Sequence, residues 1–208
     1  MRVTGGRYGG RKLICPPGVI RPAMDRMRES VFAILGDISG CSFLDLYCGS
    51  GSVGIEAASR GGEPVVFVEK DRGKRPALLR NLEFVRERTE LHILPVEHYL
   101  RRVKSSFDLI FLDPPFRQRG KREVLQLIAL RGILGWGGKL LIHLPREEEG
   151  AFPSVLGEAP AASGSEAAVP APAVGPGPSG GAAGRLAPRP LHLFDRRLYG
   201  GSLLLFYR

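Results

Sequence analysis

Only three cysteines, Cys15, Cys41 and Cys48, occur in 208 residues, and no two have the spacing of a metal-ligand pair. That excludes a disulfide framework, and a reducing cytoplasm is the expected setting. Cys41 and Cys48 flank an apolar run and read as small apolar fillers. Histidine is as sparse: His92, His98, His143 and His192 are scattered without ligand spacing, so no metal site is expected. They read as core or surface residues, and only at His143 does a catalytic role come into question. No apolar run approaches a membrane span, and the opening residues lack a secretory signal pattern, so no membrane partner is expected. Acids are scarce at the start. Between residues 1 and 28, Asp25 alone faces Arg2, Arg7, Arg11, Lys12, Arg21, Arg26 and Arg28.

The whole chain carries a net charge of +9, the footprint of a nucleic-acid partner. Gly5, Gly6, Gly9 and Gly10 interleave with the early cations. The stretch reads as a mobile or tightly turning arm, with a hairpin around Gly9-Gly10, laid along phosphates. Salt should weaken its binding through counterion release.

The length fits one domain, or one domain with an appendage, and the 43% apolar share supports a core. Residues 1–38 read as a basic arm and capping helix. Pro22 stands near that helix's first turn, and Met24, Met27, Val31, Ile34 and Leu35 form its apolar face. Residues 39–208 read as the main domain. Strands are expected near 42–47, 64–69, 90–94, 107–112 and 137–144. Helices are expected near 53–60, 73–87, 96–103 and 120–134. Alternation of this kind builds a parallel sheet with helices on both faces, and ligands bind outside the carboxyl ends of its strands. From 146 to 190 the chain turns to Ala, Pro, Gly and Ser after Glu147-Glu148-Glu149. That composition predicts a disordered insertion. The final residues read as two antiparallel edge strands turning at Leu198-Tyr199-Gly200-Gly201.

Two motifs carry chemistry. The first runs Phe43-Leu44-Asp45-Leu46-Tyr47-Cys48-Gly49-Ser50-Gly51-Ser52-Val53-Gly54-Ile55-Glu56. An apolar strand, a G-x-G-x-x-G turn and a helix follow in the order that gives this motif meaning. Glu69 ends the next strand 20 residues past Gly49, where an acid takes a ribose diol. Asp71, past the strand end, is the second choice. Dinucleotide folds hold a pyrophosphate at the helix N-terminus. Here Asp45 stands at the mouth of the strand instead. A carboxylate there suits the sulfonium and ammonium of S-adenosylmethionine better than phosphates.

The second motif is Asp113-Pro114-Pro115-Phe116, directly after the apolar run 107–112. Two prolines remove two donors and stiffen the chain. The tetrapeptide presents an Asp carboxylate, a backbone carbonyl and an aromatic face. Such a set fits a nucleobase bearing an exocyclic amine, whose two N–H bonds meet the two acceptors while the ring stacks.

Together with Arg2-Val3-Thr4-Gly5-Gly6-Arg7-Tyr8-Gly9-Gly10-Arg11-Lys12-Leu13 and Ile20-Arg21-Pro22-Ala23-Met24-Asp25-Arg26-Met27-Arg28-Glu29-Ser30-Val31-Phe32, these motifs resemble the bacterial 16S ribosomal RNA guanine-N2 methyltransferases of the RsmD family. The likeness covers roughly residues 1–145 and 190–208. It implies a Rossmann-like class I methyltransferase. The expected sheet is mostly parallel and seven-stranded, with a C-terminal antiparallel hairpin and an N-terminal β-hairpin and helix. It implies S-adenosylmethionine as cofactor and small-subunit ribosomal RNA, or an assembly intermediate, as partner. Monomer is the default expectation. It gives catalytic roles to Asp113, Pro114, Pro115 and Phe116. The candidate cofactor set is Asp45, Tyr47, Gly49, Ser50, Gly51, Gly54, Glu69, Lys70, Val96 and Glu97. In related enzymes a small polar or acidic residue after the third strand meets the adenine. Here the stretch is Leu94-Pro95-Val96-Glu97, leaving backbone atoms or Glu97 for that task. The early cations, with Arg117 and Arg119, are the candidate RNA contacts, and Lys121 and Arg122 extend that run.

Rival readings are a DNA or other RNA adenine or cytosine amino methyltransferase, and a non-catalytic RNA-binding module on the same fold. A DNA enzyme normally needs a recognition domain for which 208 residues leave little room. An NAD-dependent oxidoreductase explains the glycines and Glu69 but leaves the tetrapeptide unexplained.

Overall fold

The computed structural model describes residues 1–15, 22–157 and 187–208, with backbone alone at 22–24. Arg21 therefore lies outside the described residues, as does the side chain of Met24. In chain order come α1 (Pro22–Leu35), β1 (Phe43–Leu46), α2 (Ser52–Ser59), β2 (Val65–Glu69) and a 3-10 turn (Arg72–Lys74). Next are α3 (Arg75–Leu82), β3 (Thr89–Ile93), α4 (Val96–Arg102), β4 (Phe107–Leu112) and α5 (Lys121–Leu130). The last are β5 (Leu134–Pro145), a second 3-10 helix (Arg146–Ala151), β6 (Val155–Leu156), β7 (Leu191–Tyr199) and β8 (Ser202–Tyr207).

The sheet has eight strands in the order β3-β2-β1-β4-β5-β8-β7-β6. The first five in sequence are parallel to their neighbours, and β8 returns antiparallel beside β5. This is the class I methyltransferase architecture, with one short strand beyond the expected seven. All four residues of β1 and all five of β2 are buried, which continuous apolar runs in a two-sided parallel sheet require. Alternate residues feed two cores. Leu44, Leu46, Ile110 and Leu112 pack with α4 and α5, whereas Phe43, Phe67, Leu109 and Phe111 pack with α1, α2 and α3.

Several expectations need correction. The N-terminal hairpin reduces to one antiparallel bridge, Arg2↔Lys12. The arm, read as mobile or tightly turning, packs on the domain: Val3, Tyr8 and Leu13 are buried in the core shared with α1 and α2. Thr4 donates from its backbone N and its Oγ1 to the two oxygens of Glu56, at 2.6 and 2.7 Å. Arg28, expected on RNA, has no exposure and lies beneath the arm. Its Nη2 donates to Asp25 Oδ1 at 2.8 Å and to the Arg2 carbonyl at 2.6 Å.

Helix α5 ends four residues earlier than expected, because Gly132 takes a positive φ of 58° and closes it. The strand expected near 137–144 begins earlier, at Leu134, and its Gly135-Trp136-Gly137-Gly138 stretch absorbs a register shift against β4 between Phe107 and Leu109. The insertion expected over 146–190 is ordered at both described ends. Val155 and Leu156 pair with His192 and Leu191, Tyr207 Oη donates to the Pro153 carbonyl at 2.8 Å, and Arg189 Nη2 donates to the Gly135 carbonyl at 2.8 Å. Residues 158–186 lie outside the described residues. β8 is interior rather than an edge, and β7 runs through Tyr199, leaving the turn at Gly200-Gly201.

Candidate active site

Register brings the candidate residues level. Val68 lies beside Leu46, Leu46 beside Leu112, and Leu112 beside Ile142. One step further, at the carboxyl ends, stand Glu69, Tyr47, Asp113 and His143. The Asp113 N–H donates to the Leu46 carbonyl at 3.2 Å, which carries the pairing up to that level. Tyr47 departs from strand geometry with φ 61°, and its hydroxyl reaches Glu97 Oε1 at 3.5 Å. Burial, then the Glu97 charge, holds that phenol above its usual pKa.

The glycine turn is built around two carboxylates. Asp45 is buried, and its Oδ2 accepts the Gly54 N–H at 2.8 Å in the first turn of α2. The acid itself thus occupies the helix N-terminus where a pyrophosphate would sit. Its Oδ1 has no hydrogen-bond partner among the described residues. Burial pushes the Asp45 pKa up to about 8, against the pull of the Gly54 N–H, and the Asp113 and Glu69 charges add to the rise. Glu69 Oε2 accepts the Gly49 N–H at 3.0 Å and Lys74 Nζ at 3.2 Å, while its Oε1 accepts the Asp71 N–H at 2.9 Å. Sequence reasoning missed Lys74, although a lysine five residues past an acid in a short turn is a legible signal.

The turn leaves no space for side chains. A Cβ on Gly54 would lie 2.3 Å from the Phe67 ring, and one on Gly51, at φ 78°, 2.4 Å from Leu78 Cδ1. Gly54→Ala is expected to cost about 1–3 kcal/mol of stability through overpacking, read as a lowered Tm, and to weaken cofactor binding. An unchanged Tm would show that Phe67 yields without penalty.

The tetrapeptide is clamped from behind. Lys121 is buried, and its Nζ donates to the Phe116 carbonyl at 2.6 Å and to Glu148 Oε1 at 2.5 Å. Its expected role on phosphates is therefore corrected: the ammonium holds the loop and the 3-10 helix after β5 together. A Lys121→Met variant should retain its fold yet transfer methyl groups about tenfold more slowly or worse, since small misplacements of positioning groups are costly. An unaltered kcat would separate the clamp from catalysis. Pro114 is buried, and Pro115 turns the chain by accepting the Gln118 N–H at 2.7 Å. Asp113 Oδ1 pairs with His143 Nδ1 at 2.8 Å, and the Phe116 ring meets the His143 ring edge-on with centroids 5.6 Å apart.

These groups open on one cleft of about 1190 Å³, lined by Tyr47, Gly49, Glu69, Lys70 and the whole tetrapeptide. That exceeds the roughly 300–1,000 Å³ of a typical small-molecule site, leaving room for a cofactor and a second planar group. Arg26, Met27, Asp71, Lys74, His143 and the turn 199–202 complete the walls; of these, sequence reasoning placed Arg26 on RNA, offered Asp71 as second choice for the ribose and raised His143 as a catalytic question. Asp45, Ser50, Gly51 and Gly54, expected to hold the cofactor, are not among the lining residues. Val96 is buried at the start of α4, and Glu97 turns to Tyr47. Arg2, Arg11, Lys12, Arg117 and Arg119 are exposed. Arg11 lies over the Phe84 ring at 4.6 Å, and Arg7 pairs with Glu87 at 2.8 Å.

The donor set fits S-adenosylmethionine. Glu69 lines the cleft as an acceptor for hydroxyls, and Asp45, with one unpartnered oxygen, is a buried acid that a cationic ligand would ionise and that already takes the Gly54 N–H at the start of α2. A pyrophosphate would meet two acids instead.

The family described as Conserved hypothetical protein 95 matches residues 1–158. Ribosomal RNA small subunit methyltransferase D of Escherichia coli (strain K12) is 33% identical over 159 residues, which cover 74% of this chain and 79% of that protein. Putative rRNA methyltransferase YlbH of Bacillus subtilis (strain 168) is 33% identical over 165 residues, 76% of this chain and 89% of that protein. Among solved structures, a putative methyltransferase from Escherichia coli superposes with a TM-score of 0.74 at 23% identity, over 100% of this chain and 96% of that one, a likeness of fold.

Proposed function

Because this chain belongs to the Conserved hypothetical protein 95 family, the family of Ribosomal RNA small subunit methyltransferase D, we propose that it methylates the exocyclic N2 of a guanine in small-subunit ribosomal RNA, using S-adenosylmethionine. The observation that carries the reading is the shared cleft: a diol-binding acid, Glu69, and an amine-accepting tetrapeptide, Asp113 to Phe116, line the same cavity.

S-adenosylmethionine supplies an electrophilic methyl group on a sulfonium. Glu69, held by Gly49 and Lys74, takes the ribose side, and the Asp45 charge lies beneath the cationic end. Asp113 and the Pro114 carbonyl accept the two hydrogens of the guanine amine. Its lone pair, otherwise delocalised into the ring, then points at the methyl carbon. Most of the acceleration comes from holding this geometry, with electrostatic help as charge develops on nitrogen. Phe116 stacks the extruded base, worth about 1–3 kcal/mol for such contacts. Arg26 on the cleft wall and the exposed Arg117 and Arg119 beside the tetrapeptide meet the flanking phosphates. Replacing Arg117 and Arg119 together by alanine should weaken RNA binding and reduce the salt slope by about one per arginine; an unchanged slope would place the RNA elsewhere.

The deciding experiment offers labelled S-adenosylmethionine with small-subunit RNA, intact small subunits and duplex DNA in parallel, followed by nucleoside analysis. N2-methylguanosine in the RNA is the expected product. Label in DNA, or on adenine or cytosine, would overturn the substrate while keeping the chemistry.

A further inference from the structure

His143 is a buried histidine on β5, outside the glycine turn and the tetrapeptide, yet its ring touches two members of the latter. Its Nδ1 lies 2.8 Å from Asp113 Oδ1, and its side chain is 6% exposed against 26% for the aspartate. Backbone pairing fixes the contact. Leu112 of β4 lies beside Ile142 of β5, so the next residues of two parallel strands stand side by side on one face of the sheet. Leu204 of β8 pairs with His143 in the sheet on its other side. An ionised carboxylate only accepts, so Nδ1 carries the proton.

We propose that His143 is a positioning residue for methyl transfer. Its Nδ1–H holds Oδ1 of Asp113, which leaves Oδ2 facing the cleft for one hydrogen of the target amine. The proposal rests on the functional reading above. A carboxylate torsion is broad and roughly two-fold, so an unheld Asp113 would spend much of its time with neither oxygen aligned. The same imidazole abuts the edge of Phe116, with ring planes at 62°, and so fixes the stacking platform together with the acceptor. During transfer the nitrogen lone pair forms the N–CH3 bond, and the C–S pair returns to sulfur as the sulfonium becomes a neutral sulfide. The surplus N–H proton goes to Asp113 Oδ2 and later to water. His143 keeps its proton throughout and acts only by orientation.

The test compares His143→Leu, His143→Asn and His143→Gln, because an asparagine amide N–H falls near the Nδ1 position and a glutamine amide N–H near Nε2. His143→Leu should lower kcat by about 10- to 100-fold, the scale of lost orientation, with cofactor Kd and RNA KM nearly unchanged. His143→Asn should restore most of the rate, and His143→Gln should not. Equal losses in the Asn and Gln variants would reduce the residue to a packing role, and an unimpaired Leu variant would remove it from the reaction altogether. A second readout is free of activity. Nitrogen-15 NMR of the wild-type protein should show the Nδ1–H tautomer at His143, and Asp113→Ala should perturb it. The Nε2–H tautomer in the wild type would overturn the proposal even if the variants behaved as expected. If the wild type makes no N2-methylguanosine, the functional reading fails, and the NMR result alone decides the His143–Asp113 contact.

Discussion

Asp113→Ala is expected to abolish methyl transfer while leaving S-adenosylmethionine bound. The expected loss in kcat is at least about 10²–10³-fold, the scale of removing one preorganised acceptor or donor from a reacting centre. Cofactor Kd should stay within about a factor of three, because the cofactor-side groups are held independently: Glu69 by Gly49 and Lys74, and Asp45 by Gly54. The alanine also strands His143, whose Nδ1 loses its partner on Asp113. A modest fall in Tm is therefore compatible with the division of labour, whereas parallel loss of binding and turnover is not. Isothermal titration with the cofactor, set beside single-turnover transfer to small-subunit RNA, separates the two.

The second large effect is a proton released when the cofactor binds. Burial pushes Asp45 up to about 8 from an ordinary value of 3.8. A folded-state pKa above the unfolded one means that the folded protein prefers the protonated acid. Its contribution to stability is complete below the unfolded pKa and is lost as pH rises through the folded one. A cationic ligand above the carboxylate favours the ionised form instead. Binding below about pH 8 should therefore release up to one proton, and affinity should rise with pH by up to about tenfold per unit until it levels off near that value. Titrations in two buffers of different ionisation enthalpy measure the proton count. Asp45→Asn should eliminate it, weaken the cofactor, and flatten the decline of Tm with rising pH. Proton uptake, or no proton at all, would mean that Asp45 does not face the positive end.

Much of the architecture was legible because its signals are local. Strand, glycine turn and helix follow within fifteen residues around Gly49, and Asp113-Pro114-Pro115-Phe116 announces itself by donor loss. What was missed depends on distant partners. Asn81 is an unremarkable helix residue in the sequence, yet its side-chain amide bonds the Ser50 and Ile14 carbonyls at 2.9 and 2.8 Å. Lys121 read as one more cation in a basic run, because its acid, Glu148, comes 27 residues later. Arg28 read as an RNA contact, because nothing local says that the arm folds over it. His143 was within reach of sequence logic: two parallel strands read in register put the residue after one apolar run beside the residue after the other. That step needed the strand order, and the glycine-rich start of β5 concealed its register.

Asn81 also has a mechanical consequence. It accepts the Ile14 N–H at 2.8 Å while donating to the Ile14 and Ser50 carbonyls, so one amide rivets the end of the basic arm to the glycine turn. A phosphate backbone that pulled on the arm would therefore be felt at the Ser50 turn. If a bound donor changes the free energy of docking at the arm, docking at the arm must change the donor's binding by the same amount.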